Sequence, residues 1–113
     1  MSLVSDLKEI TDNVYADDGA GWRTFIIDHI PYLRRKAIVV YADETYMGRY
    51  RYDIAWFLQD SGIKPEYVWI FRLMNFIQSD FSFEEARSYY MPPVQEITNL
   101  YDLYSGVKKV RAG

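Results

Sequence analysis

His29 is the only histidine among the 113 residues, and a lone imidazole limits the acid–base and metal chemistry open to this sequence. Set between charged and apolar neighbours, Asp28 and Ile30, it reads as a surface or packing residue rather than as a general base. No serine stands in the glycine-flanked turn that exposes a nucleophile. Asp17 and Asp18 open a loop, Asp17-Asp18-Gly19-Ala20-Gly21, but no further acid follows at the spacing of a calcium loop. Glu84 and Glu85 are adjacent, and adjacent side chains in regular structure point in different directions, so they do not make a proton-sharing pair. Gly19 and Gly21 lack the rest of either nucleotide-phosphate fingerprint. With no cysteine, thiolate zinc sites, iron–sulfur clusters, disulfides and thiol nucleophiles are excluded together. The residues predict no enzyme, no metal and no cofactor.

What the sequence has in excess is aromatic rings. Eleven Tyr, six Phe and three Trp make 18% of the chain, more than one core of this size is expected to enclose, and amphipathic rings are favoured where proteins meet. The remaining composition, 50% hydrophobic and 26% charged, is that of one globular domain. A net charge of −3 argues against the basic face of a nucleic-acid binder. No run approaches the roughly 20 apolar residues that span a bilayer. The opening Met-Ser-Leu-Val-Ser-Asp-Leu-Lys is too charged for a signal peptide, so the expected site of synthesis and residence is the cytoplasm.

The elements that position these side chains predict an α+β fold. Leu3, Val4, Leu7, Ile10 and Val14 form one stripe of an amphipathic helix, which either folds back on its own domain or lies in a groove of a neighbouring subunit. Trp22, Phe25, Ile26, Ile30 and Leu33 recur at three and four, but Pro31 removes an amide, so one helix or two short turns should end near Arg34-Arg35-Lys36. Ala37 to Tyr41 reads as a buried strand. After a turn at Asp43-Glu44, Thr45 to Tyr52 reads as a second strand. In it Gly48 marks a bulge, Arg49 and Arg51 share one face, and Tyr50 and Tyr52 share the other.

The chain is organised around the stretch from Tyr50 to Pro93. Asp53 is placed to cap a helix carrying Ile54, Ala55, Phe57 and Leu58, which Gly62 stops. Pro65 and Glu66 suit the first turn of a second helix running through Val68, Trp69, Phe71 and Arg72 to Asn75, apolar on more than half its circumference. Ser88 to Met91 reads as a strand that Pro92 and Pro93 terminate. Val94, Ile97, Leu100, Tyr101 and Tyr104 then line one face of a C-terminal helix, with Gly106 as its C-cap. The residues beyond it, with Lys108, Lys109 and Arg111, form a basic tail that is either solvated or docked on an acidic neighbour.

The strand-helix-helix-strand order, Gly62-Ile63 between the helices, Pro65-Glu66, Asn75 and the strand stopping at Met91-Pro92 together resemble a lysin motif (LysM). Ordinary members bind the N-acetylglucosamine chains of peptidoglycan or chitin. Here Asn75 lies ten positions after Pro65, against about seven in typical members, which lengthens the second helix by about one turn. Glu85-Ala86 replaces the usual Pro-Gly turn and predicts a helical excursion through Phe83 to Arg87. Pro65 followed by Tyr67-Val68-Trp69-Ile70 and Leu73-Met74-Asn75, with the preceding Tyr50-Arg51-Tyr52-Asp53, is more similar to the LysM-like segment of a small baseplate wedge family of contractile-tailed bacteriophages.

The resemblance covers roughly the C-terminal 60 residues and says little about residues 1 to 40; the chain then divides into an N-terminal helical and strand extension over residues 1–48, a LysM-like module with its C-terminal helix over 49–105, and the tail over 106–113. The expected fold is a LysM-like core with an added N-terminal helix, an extra strand and a C-terminal helix. It implies a non-enzymatic virion component, assembled in the host cytoplasm in multiple copies with other tail or baseplate proteins, and binding neither nucleic acid nor membrane. The alternative it implies is a peptidoglycan-binding module. Contact candidates on this reading are Trp22, Tyr46, Arg49, Arg51, Trp56 and Trp69, with Lys108, Lys109 and Arg111 from the tail. Trp56 and Trp69 are equally open to a core reading, which suits Trp69 better.

Overall fold

The computed structural model describes the backbone of residues 21–112 and the side chains of residues 21–106; the stripe from Leu3 to Val14 lies outside the described residues. The architecture is α+β. Six α-helices, over residues 21–28 (α1), Ile30–Lys36 (α2), Glu44–Tyr50 (α3), Ile54–Asp60 (α4), Val68–Asn75 (α5) and Val94–Ala112 (α6), accompany two strands, Val39–Ala42 (β1) and Arg87–Tyr90 (β2). The strands form one antiparallel pair, with Val39 opposite Tyr90 and Ala42 opposite Arg87.

Local chemistry accounts for the breaks. Pro31 has no amide to continue α1, and the chain turns at His29, whose N–H bonds Ile26 O at 2.9 Å while its carbonyl accepts from Leu33 N–H, also at 2.9 Å. Asp43 and Asp53 cap α3 and α4, their carboxylates accepting from Tyr46 N–H at 2.8 Å and Trp56 N–H at 3.0 Å. Gly62 takes φ +80°, a left-handed conformation that suits glycine, just beyond α4. Pro65–Tyr67 is a 3-10 turn leading into α5.

Two apolar clusters share α5 as a common wall. Trp22, Ile26, Ile30 and Leu33, from one stripe of α1 and α2, pack with Ile70 and Met74 of α5 and with Ile97 and Leu100 of α6. The other side of α5 gives Phe71 to a cluster with Met47, Tyr50, Ile54, Phe57, Leu58, Phe83 and Tyr89. Phe57, Phe71, Phe83 and Tyr89 form a four-ring nest there, with centroids 5.2–6.0 Å apart and tilted or edge-on planes. A helix apolar on more than half its circumference is placed where both of its sides are covered.

Several expectations are corrected. Thr45 to Tyr52 is not a strand: Asp43 starts α3, and Met47 and Tyr50 bury one helical side against α4, so Arg49 and Arg51 do not share a strand face. Gly48 accordingly marks no bulge; a side chain there would meet nothing within 4 Å. Gly106 does not cap α6, which runs through it to Ala112, so the supposed tail is continuous helix. Residues 83–86 form no helix; the 3-10 turn Asp80–Ser82 precedes them. The stretch from Ala37 to Tyr41 is not wholly buried either: Ile38, Val39 and Tyr41 are exposed. The boundary at residue 48 falls inside α3, and that at 106 inside α6.

Candidate contact surface

Trp22, expected at a contact, is fully buried, edge-on to Tyr101 at 5.2 Å and tilted against Tyr104 at 5.5 Å. It is a core residue because the stripe that carries it faces α6. The other candidates separate into two groups. Tyr46 and Trp56 flank the buried Tyr50 ring, at 4.9 and 5.1 Å, on the corner made by α3 and α4. Trp56 remains 44% exposed there, and Arg49 is exposed in the last turn of α3. Arg51, beyond that turn, reaches Glu44 at 4.0 Å in a pair open to water, which contributes little to stability. Lys108, Lys109 and Arg111 lie on the last turns of α6, outside the described side chains.

Trp69 belongs to the second group. It is half-buried on α5 beneath the Arg23 guanidinium, 5.6 Å from the ring centroid, and lines a cleft of about 450 Å³ with Arg72, Leu73, Phe76 and Ile77. Arg72 donates through Nε to Ile77 O at 3.4 Å and through a terminal nitrogen to Gln78 O, which holds the chain leaving α5 against the helix. Phe76 sits in the left-handed region at φ 57° and is 74% exposed. The Arg34 guanidinium lies 4.8 Å from its centroid and 4.5 Å from that of Tyr90. Guanidinium groups over aromatic rings keep their outward N–H donors, so this face suits carboxylate-bearing, apolar segments.

Many tyrosine hydroxyls are used inside the domain. Tyr32 donates to Glu96 at 2.6 Å, tying α2 to α6, and Tyr50 donates to Asp60, tying α3 to α4. Tyr52 donates to Glu84 at 2.8 Å and Tyr89 to Glu85 O at 2.5 Å. The bonds to carboxylates raise the pKa of Tyr32, Tyr50 and Tyr52, with desolvation second in each case. Burial raises that of Tyr67, whose hydroxyl has no hydrogen-bond partner among the described residues, and that of Tyr89. His29 is a packing residue: its ring stacks on Phe25 at 4.3 Å and its Nδ1 donates to Phe25 O at 2.6 Å.

No family model, curated protein or solved structure matches this chain. Among the described residues no three His, Asp or Glu side chains group as metal ligands, and no helix is long and apolar enough to cross a membrane. Sequence reasoning passed over Phe76, Arg23, Arg34 and Arg72. No helical spacing in the sequence brings them together, since Phe76 lies just beyond α5 in left-handed backbone. Val39 and Tyr41, expected in a buried strand, alternate on β1 so that both lie on its outer face.

Proposed function

We propose that this protein is a structural component of a bacteriophage tail baseplate, a wedge adaptor that holds neighbouring subunits together during virion assembly. The observation that carries the reading is the spread of exposed large apolar side chains over separate elements of one small domain: Ile38 just before β1, Val39 and Tyr41 on it, Trp56 on α4, Phe76 just beyond α5 and Phe81 in the 3-10 turn before β2. Several moderate contacts in a closed assembly add through effective concentration, so no single deep pocket is needed. The strand-helix-helix-strand order of the LysM-like reading is not reproduced, since its first strand over Thr45 to Tyr52 is α3 and the two antiparallel strands enclose three helices. Neighbours would be other tail or baseplate proteins, in multiple copies, with assembly in the host cytoplasm and residence in the virion. Mass spectrometry of purified virions tests this; a virion proteome lacking the chain removes the reading.

A second reading, binding of an N-acetylglucosamine polymer, draws on the groove of about 400 Å³ lined by Glu44, Arg51, Tyr52, Glu84, Glu85 and Ala86. Its carboxylates can accept from sugar hydroxyls, and the exposed Tyr52 ring can stack on a sugar face. Retention on insoluble peptidoglycan that Tyr52→Ala abolishes would favour it, and absence of retention removes it.

A further inference from the structure

The two edges of the β1–β2 ribbon differ. On the β2 side, Asn75 is buried and occupies the edge as a third strand would: its Oδ1 accepts from Tyr90 N–H at 2.7 Å and its Nδ2 donates to Tyr90 O at 2.9 Å. Tyr90 therefore turns its main chain away from Val39, which makes Val39–Tyr90 a non-hydrogen-bonded pair of the ladder. Met91 N–H bonding Ile38 O at 2.9 Å sets the same phase. Ile38, Val40 and Ala42 thus face β2 with their main-chain groups, while Val39 and Tyr41 direct theirs to the opposite edge, where nothing among the described residues takes them up.

Among the described residues nothing covers this edge. Ile38-Val39-Val40-Tyr41-Ala42 contains no charge, proline or glycine, and Ile38 is 74%, Val39 51% and Tyr41 66% exposed. Its two ends are oppositely charged. Arg34, Arg35 and Lys36 close α2 on one side, and Asp43 and Glu44 open α3 on the other. A strand laid antiparallel along this edge meets the best electrostatic match if it brings acids to the basic end and bases to the acidic end, which is what β1 itself does when turned around.

We infer that this edge is a self-association surface, on which β1 of a second copy pairs antiparallel to form a continuous four-stranded sheet. Only one register uses all the outward groups. Val39 opposite Tyr41 of the second copy, and the reverse, exchanges both main-chain bonds of each pair and leaves Val40 facing its own counterpart on the two-fold axis. The same register stacks Val39 against the Tyr41 ring on the outer face, a favourable β-branched–aromatic cross-strand pair. It also directs Lys36 toward Glu44 of the other copy, twice by symmetry. The contact closes on itself and occupies Ile38, Val39 and Tyr41 of the surfaces on which the tail-assembly reading draws, leaving Trp56, Phe76 and Phe81 to that role.

Sedimentation velocity of the full chain over a wide concentration range is the test. The inference expects a reversible monomer–dimer equilibrium, lost in Tyr41→Lys and Val39→Lys while circular dichroism shows the fold intact. Lys36→Glu or Glu44→Lys alone should weaken the dimer about two- to thirtyfold, since an exposed pair counted twice is modest, and the double exchange should restore it. Amide exchange at Val39 and Tyr41 should slow as concentration rises, while that at Val40 stays constant. A monomer at every concentration, a dimer indifferent to Tyr41→Lys, or a double exchange that fails to restore would each overturn the inference.

Discussion

The carboxamide of Asn75 bonds both main-chain groups of Tyr90, 15 residues later, and its Nδ2 also donates to Phe71 O at 2.9 Å. One side chain thereby closes the end of α5 and finishes the edge of β2. The Asn75 carbonyl in turn accepts from the Arg87 guanidinium at 2.8 Å. Replacing it leaves buried main-chain groups without partners, so Asn75→Ala is expected to destabilise the domain by about 2–4 kcal/mol in urea unfolding. Asn75→Asp has nearly the same shape but loses both donated bonds and aims a carboxylate at two carbonyls. It should be at least as destabilised at neutral pH and recover on acidification, when a protonated carboxyl can donate again.

The helix caps give a smaller effect. Asp53→Ala and Asp43→Ala each remove a carboxylate accepting from a first-turn N–H, and each should lower unfolding free energy by about 1 kcal/mol. Replacement by Asn or Ser, which also cap, should restore most of it. Loss in both Ala variants with no recovery in Asn or Ser would mean that the carboxylates act in some other way.

Phe57 touches the rings of Tyr46, Tyr50, Phe71, Phe83 and Tyr89, and so joins α3, α4, α5 and β2. Phe57→Ala opens a cavity that rigid neighbouring rings cannot collapse into, and a loss of about 3–5 kcal/mol is expected. Against total stabilities of about 5–15 kcal/mol this leaves little cooperative folding, visible as a shallow or absent thermal transition.

Alkaline pH should weaken the fold. Tyr32, Tyr50, Tyr52, Tyr67 and Tyr89 all have pKa values raised above 10.0 in the folded chain, so they retain protons that the unfolded chain has begun to release. Their contribution is complete below pH 10 and falls as pH rises through the folded values. Melting temperature should therefore decline above about pH 10, alongside ultraviolet tyrosine titration displaced upward from free tyrosine. Tyr67→Phe removes a buried hydroxyl that has no partner among the described residues, and should raise neutral-pH stability by up to about 1 kcal/mol while reducing the alkaline loss.

Features governed by a few adjacent residues were legible in the sequence: the Asp53 cap, the helix stop at Gly62, Pro65 at the entry to the second helix, and Pro92-Pro93 after β2. Thr45 to Tyr52 was misread because its Thr and Tyr favour strands locally, whereas the burial of Met47 and Tyr50 against Phe57 and Ile54 decides for helix. Gly106 was given a capping role that its surroundings do not require, since a helix loses only about 1 kcal/mol on passing through glycine. Trp22 was counted as surface because aromatic excess alone cannot say which rings are enclosed. Neither the Asn75–Tyr90 bonds nor the stacking of Arg34 between Phe76 and Tyr90 leaves a local pattern, because each joins segments more than ten residues apart.

The most direct test of the proposed role is a cryo-EM map of the tail end of the virion that encodes this chain. The account predicts baseplate density for the two-stranded ribbon and its three intervening helices, with neighbouring subunits against Trp56, Phe76 and Phe81. A well-resolved baseplate in which every subunit is assigned and none has this fold would contradict it.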